Sequence, residues 1–113
     1  MEKTIIVGGK ELKLKSTAAF LLKYKAQFRS DPIKDLMKFK NAEDMDLETI
    51  YNVVWSLAKN ADNSIKEPTE FFDEFDNLPI FEGDFLNIII EMTLGSMGAT
   101  VKPKKQSSNP RKS

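Results

Sequence analysis

Three stretches carry residue types that could do chemistry. Val7-Gly8-Gly9-Lys10-Glu11 has the glycines and lysine of a phosphate-binding loop. Such a loop also needs a glycine five residues before its Gly-Lys pair and a Ser or Thr after the lysine, to hold phosphate and magnesium. Thr4 and Glu11 stand at those places, so the stretch reads instead as a hairpin turn. The acidic run from Glu67 to Asp76 could suggest a cation site. A calcium loop needs alternating Asp/Asn, a glycine at the sixth position and a glutamate at the twelfth. No frame starting at Asp62 or Asp73 meets that pattern. The third stretch is basic: Lys23, Lys25, Arg29, Lys34, Lys38 and Lys40, joined by Lys102, Lys104, Lys105, Arg111 and Lys112 near the C-terminus.

The chain contains neither cysteine nor histidine. That excludes disulfides, thiolate nucleophiles and Cys/His zinc sites, and it removes the side chain best suited to proton transfer near neutral pH. Ser and Thr are left without a histidine to activate them. No catalytic residue, cofactor or metal is therefore expected, and the basic residues point to contact with a partner. Nucleic acid fits them poorly, because the net charge is zero and the lysines are scattered around helices.

The zero hides an asymmetry. Residues 1–40 hold ten Lys/Arg against four Asp/Glu, residues 62–91 hold nine acids against Lys66 alone, and residues 102–113 hold five cations and no acid. A chain so polarised can pair with copies of itself or with a charged partner; otherwise the charges form a solvated surface and a solubilising tail.

At 113 residues and 41% hydrophobic, the chain can bury a core without staples. The β-branched run Thr4 to Val7, the turn dipeptide Gly8-Gly9 and the strict alternation of Glu11 to Lys15 predict a β-hairpin whose apolar face is formed by Leu12, Leu14 and part of the first strand. Ser16 or Thr17 should cap a helix running to about Arg29, with Ala19, Phe20, Leu22 and Ala26 on its buried side and Leu21 at its margin. Asp31-Pro32 opens a short helix that ends near Asn41. Asp46 caps the clearest helical stripe, Leu47, Ile50, Val53, Val54, Leu57, Ala58 and Ala61, with Tyr51 and Trp55 touching on its flank. Pro68 begins an acidic amphipathic helix bearing Phe71, Phe72 and Phe75, which ends at Leu78-Pro79. A last helix runs from about Phe81 or Asp84 to Leu94 or Met97. Its apolar positions wrap most of its circumference, so it is central or has a second apolar partner.

The expected fold is mainly α with an N-terminal β-hairpin, about five helices packed as a small bundle. Residues 1–98 make one domain and residues 99–113 a flexible basic tail. The most apolar run, Phe85 to Met97, is too short and too polar to span a bilayer, and Met1-Glu2-Lys3-Thr4 does not look like a secretion signal.

This order of features resembles the tail assembly chaperones of long-tailed phages and prophages of Gram-positive bacteria. The likeness runs over nearly the whole chain. It is carried by the aliphatic-Trp-Ser-Leu-Ala-Lys segment from Val53 to Lys59, by Pro-Thr-Glu-Phe-Phe-Asp-Glu-Phe from Pro68 to Phe75, and by Thr100-Val101-Lys102-Pro103-Lys104-Lys105. The resemblance implies a non-enzymatic factor of the host bacterial cytoplasm, absent from the finished virion. It would coat the tape-measure protein, keep it soluble and help recruit the tail-tube protein. A homo-oligomer is compatible with that role. Phe71, Phe72, Phe75, Phe81, Phe85 and Ile89 are then candidates for the partner-binding face, with Lys102, Lys104 and Lys105 adding charge; the alternative is that the six apolar residues lie in the core. Two other functions stay open: a tail-completion component retained in the particle, and a small nucleic-acid-binding regulator.

Overall fold

The structure, a computed structural model, describes residues 1–38 and 46–96. A two-stranded antiparallel sheet, β1 (Glu2–Val7) and β2 (Lys10–Lys15), leads into α1 (Ala18–Phe28), α2 (Pro32–Leu36), α3 (Leu47–Ala61), α4 (Pro68–Phe72) and α5 (Phe85–Ser96). The hairpin and five helices are those the sequence predicts. The basic tail, with Lys102, Lys104 and Lys105, lies outside the described residues, as does the expected end of α2 near Asn41.

The hairpin closes through Gly8 and Gly9 at φ 58° and 81°, the left-handed region that a two-residue turn of this twist demands and that glycine occupies without steric cost. The register sets Ile5 opposite Leu12 and Val7 opposite Lys10. Met1 and Ser16 exchange both backbone hydrogen bonds, 3.0 and 2.8 Å, which fixes the far end of the ladder. Alternation then turns the backbone groups of Lys3, Ile5 and Val7 toward β2, and those of Glu2, Thr4 and Ile6 toward the free edge of β1.

Helix α3 is the centre of the core. Ile50, Val53, Val54, Leu57 and Ala58 are buried along it, and it packs on β2, α1, α2, α4 and α5. Asp46 caps it by accepting from the Glu48 amide at 3.0 Å, and Asp31 caps α2 by accepting from the amides of Ile33 and Lys34. At the other end of α3, Asn60 Nδ2 donates to the Lys15 carbonyl at 2.9 Å and to Thr17 Oγ1 at 3.0 Å. Thr17 is the N-cap residue of α1, but its hydroxyl makes no capping bond and instead accepts from α3.

Two chains of rings bracket α3. Phe20, Tyr24 and Phe28 run along α1, with Phe28 edge-on to Trp55 at 5.6 Å. Tyr51 meets Phe72 at 4.9 Å, and the series continues through Phe71 to Phe75. Tyr51 and Trp55, expected to touch each other, thus join opposite chains. Trp55 is buried rather than on the flank, and its Nε1 donates to the Lys66 carbonyl at 2.7 Å.

The buried face of α1 also differs from expectation. Phe20 and Tyr24 are buried and Phe28 half-buried, whereas Ala19, Leu22 and Ala26 are exposed. Both faces of this helix carry apolar residues, and the aromatic one wins because three rings remove far more apolar surface from water than two alanines and a leucine. Helix α5 places Phe85, Ile89 and Met92 in the core against α1, α2 and α3, and only Asn87 and Glu91 among its positions 85–95 are exposed. No helix among the described residues is long and apolar enough to cross a membrane.

Candidate functional site

The six apolar residues singled out from the sequence do not share one surface. Phe71, Phe85 and Ile89 are core residues, at 5%, 6% and 0% exposure, which corrects their assignment to a partner-binding face. Their positions on α4 and α5 point at α3, where burying a large side chain yields most. Phe72 and Phe75 are half-buried in the ring series next to Tyr51. Phe81 alone stands out, 75% exposed in the loop before α5.

The acidic segment is shorter as a helix than its pattern suggests. After α4 the chain tightens, with the amides of Glu74 and Phe75 donating to the carbonyls three residues back, at 3.3 and 3.0 Å. This turn brings Phe75 and Glu74 against the hairpin. Lys10 Nζ donates to the Glu74 carbonyl at 2.9 Å, lies 3.9 Å from Glu74 Oε1, and sits 5.3 Å from the centre of the Phe75 ring. The lysine of the apparent phosphate loop therefore serves as a clamp between the hairpin turn and the acidic segment.

That clamp separates two clefts. On the β1 side, a cleft of about 490 Å³ is lined by Ile6, Phe75 and Pro79, with Glu74, Asp76 and Glu82 as its acids and Lys10 as its one cation. On the β2 side, a cleft of about 460 Å³ is balanced: Lys10, Lys13 and Lys66 face Glu11, Asp62 and Glu74. Asp62 there is held below the usual carboxylate range by the hydroxyl of Ser64 and then by its amide, both of which donate to Oδ1. A third cleft, at the far end of the hairpin, is net basic, with Lys3, Lys13 and Lys15 against Glu2.

The other surface of note is the outward face of α1. Ala19, Leu22 and Ala26 follow one another at three- and four-residue spacing, and Leu22 is 68% exposed. Lys25 and Arg29 are exposed beside them. Sequence reasoning placed this stripe in the core; the recurrence of aromatics at 20, 24 and 28 was the signal that it faces out.

Among the described residues, the phenol of Tyr24 is the one strongly perturbed titrating group. Burial raises its pKa, and the hydrogen bond to Asp35 and the Asp35 charge raise it further. It faces a structural partner rather than a cleft. Among the described residues, no group of three or more acidic side chains converges as a metal would require.

The fold is a small hairpin-and-helix unit whose surface carries an exposed apolar helix face and clefts of contrasting charge. Comparison with protein-family models, with curated proteins and with solved structures gives no match.

Proposed function

We propose that this protein is a phage tail assembly chaperone that binds the tape-measure protein through the outward face of α1. The observation that carries the reading is the stripe of Ala19, Leu22 and Ala26, left exposed on a helix whose opposite side buries Phe20 and Tyr24. A tape-measure protein is a long helical rod with amphipathic stripes. An exposed leucine between two alanines lets such a helix approach closely and bury its own apolar side. The exposed Lys25 and Arg29 supply a cationic rim that suits acidic flanks on the partner and keeps the chaperone soluble. The sequence resemblance, with the Val53 to Lys59 and Pro68 to Phe75 segments, supports the same reading and assigns the role to the host cytoplasm, with no catalysis and no retention in the virion. Helping to recruit the tail-tube protein belongs to this proposal as well.

The test is co-expression with the tape-measure protein of the same genome, scored by soluble yield and co-purification. The intact chain should raise both. Leu22→Asp should leave unfolding free energy within about 0.5 kcal/mol, as for a surface change. It should weaken co-purification by roughly tenfold or more, the loss of a central apolar contact. A tape measure that stays insoluble and unbound beside the intact chain would sink the reading. Mass spectrometry of purified particles would then ask whether the protein is a retained tail component.

A further inference from the structure

We propose that copies of this chain associate head to tail, the basic far end of one hairpin entering the acidic β1-side cleft of the next. The contact leaves the outward face of α1 free, so it stands apart from the tape-measure reading.

Two clefts share strand β1 and carry opposite charge. Near the turn, the cleft lined by Ile6, Phe75 and Pro79 sets Glu74, Asp76 and Glu82 against Lys10, and Lys10 is already engaged by Glu74. At the other end of the strand, Lys3, Lys13 and Lys15 stand against Glu2. Asp62 draws Lys13 toward the β2 side, so Lys3 and Lys15 carry the match. Among the described residues, neither these two lysines nor Asp76 and Glu82 have an ion-pair partner. Charges left unpaired in this way, and opposite in sign, steer two surfaces together and fix their register.

Geometry assigns the match to a second copy. The two clefts have no lining residue in common, and they sit at opposite ends of a six-residue strand that spans about 20 Å. One hairpin cannot bring its own two ends together. A two-fold pairing of either cleft with itself would set acid against acid or lysine against lysine. What remains is a heterologous contact, in which each copy offers one end and accepts at the other, so that assemblies grow as open chains or close as rings. Because the net charge of the chain is zero, added copies accumulate no net charge that would stop growth. Exposed ion pairs alone contribute little. The contact also covers apolar surface: Ile6, 62% exposed on the acidic side, and Met1, 51% exposed beside Glu2 on the basic side.

Sedimentation velocity on the full chain tests this. At low salt the sedimentation coefficient should rise with protein concentration. In about 1 M salt, where the Debye length falls to roughly 3 Å, the chain should return to monomer. Lys3→Gln with Lys15→Gln disables the basic end, and Asp76→Asn with Glu82→Gln disables the acidic end. Each double variant alone should self-associate about tenfold more weakly than the intact chain, or worse. Mixed together, the two variants keep one working pair of ends, so they should form a heterodimer and nothing larger. Leu22→Asp should associate as the intact chain does, because α1 lies outside the contact.

An intact chain that stays monomeric at low salt would overturn the proposal, as would association that survives high salt. A double variant that associates like the intact chain, or a mixture that stays monomeric although both variants keep the native circular dichroism spectrum, would do the same. Loss of association in Leu22→Asp would move the contact to α1 and overturn it as well. Should a double variant fail to fold, the salt series and Leu22→Asp still decide.

Discussion

The hydroxyl of Tyr24 donates a 2.8 Å hydrogen bond to Oδ2 of Asp35, and Asp35 Oδ1 accepts from the Ser30 hydroxyl at 2.8 Å. One carboxylate thus binds the ring chain of α1 to the short helix α2 and to the bend between them, where Arg29 sits at φ 55°. Tyr24 itself is fully buried. Ionising it would put a phenolate without solvent beside a carboxylate, and both effects disfavour the charge.

Alkaline stability should follow from that arrangement. The folded-state pKa of Tyr24 is raised above its unfolded value near 10, so its contribution is complete below about pH 10. Above that, the unfolded chain releases a proton that the folded chain keeps, and stability falls as pH rises toward the folded value. Tyrosinate absorbance should therefore show Tyr24 ionising together with loss of helical circular dichroism. Tyr24→Phe should be less stable at neutral pH by about 1 kcal/mol, the net worth of a hydrogen bond, yet show a flatter decline above pH 10. An equally steep decline in the variant would mean that another group governs alkaline unfolding.

Trp55, the chain's single tryptophan, carries a second prediction, read by circular dichroism because the variant lacks the fluorophore. Its Nε1 bond to the Lys66 carbonyl, 2.7 Å, anchors the loop after α3, and Lys59 Nζ holds the same loop through the carbonyls of Asn63 and Ile65. Trp55→Phe orphans the Lys66 carbonyl and leaves a void beside Phe28. A cost of roughly 2–3 kcal/mol is expected in denaturant titrations. Lys59→Met should cost less, because the freed carbonyls can turn to water. Equal costs would show that the ammonium holds the loop as firmly as the indole does, against this expectation.

The parts of this fold that were legible in sequence are those governed by neighbours in the chain. Gly8-Gly9 between alternating strands, Asp31 before Pro32, Asp46 before a periodic run and the α3 stripe each act within a few residues, and each was found where expected. What failed needed tertiary information. Helix α1 offers two apolar faces, and only α3 and its Trp55 decide that the ring-bearing face turns inward. The same competition sent Tyr51 to Phe72 and Trp55 to Phe28. Among the candidate contact residues, the pattern marked Phe71, Phe85 and Ile89 as apolar on amphipathic segments, but an amphipathic face looks alike whether it meets a partner or its own core.

That ambiguity can be broken with one pair of substitutions four residues apart. Phe85 is 6% exposed at the start of α5 and belongs to the core cluster with Ile89 and Met92. A carboxylate there would be buried without a cation, a change expected to exceed about 4 kcal/mol and to unfold a domain of ordinary stability. Phe81 is 75% exposed in the preceding loop. Phe81→Asp should keep the native circular dichroism spectrum and shift stability by no more than about 0.5 kcal/mol. Its exposure, close in sequence to Glu82 of the acidic cleft, leaves it available for contact where Phe85 is not. If Phe85→Asp folds with native-like cooperativity, α5 does not pack into the core as described; if Phe81→Asp unfolds, the loop before α5 is closed over the core and Phe81 belongs inside.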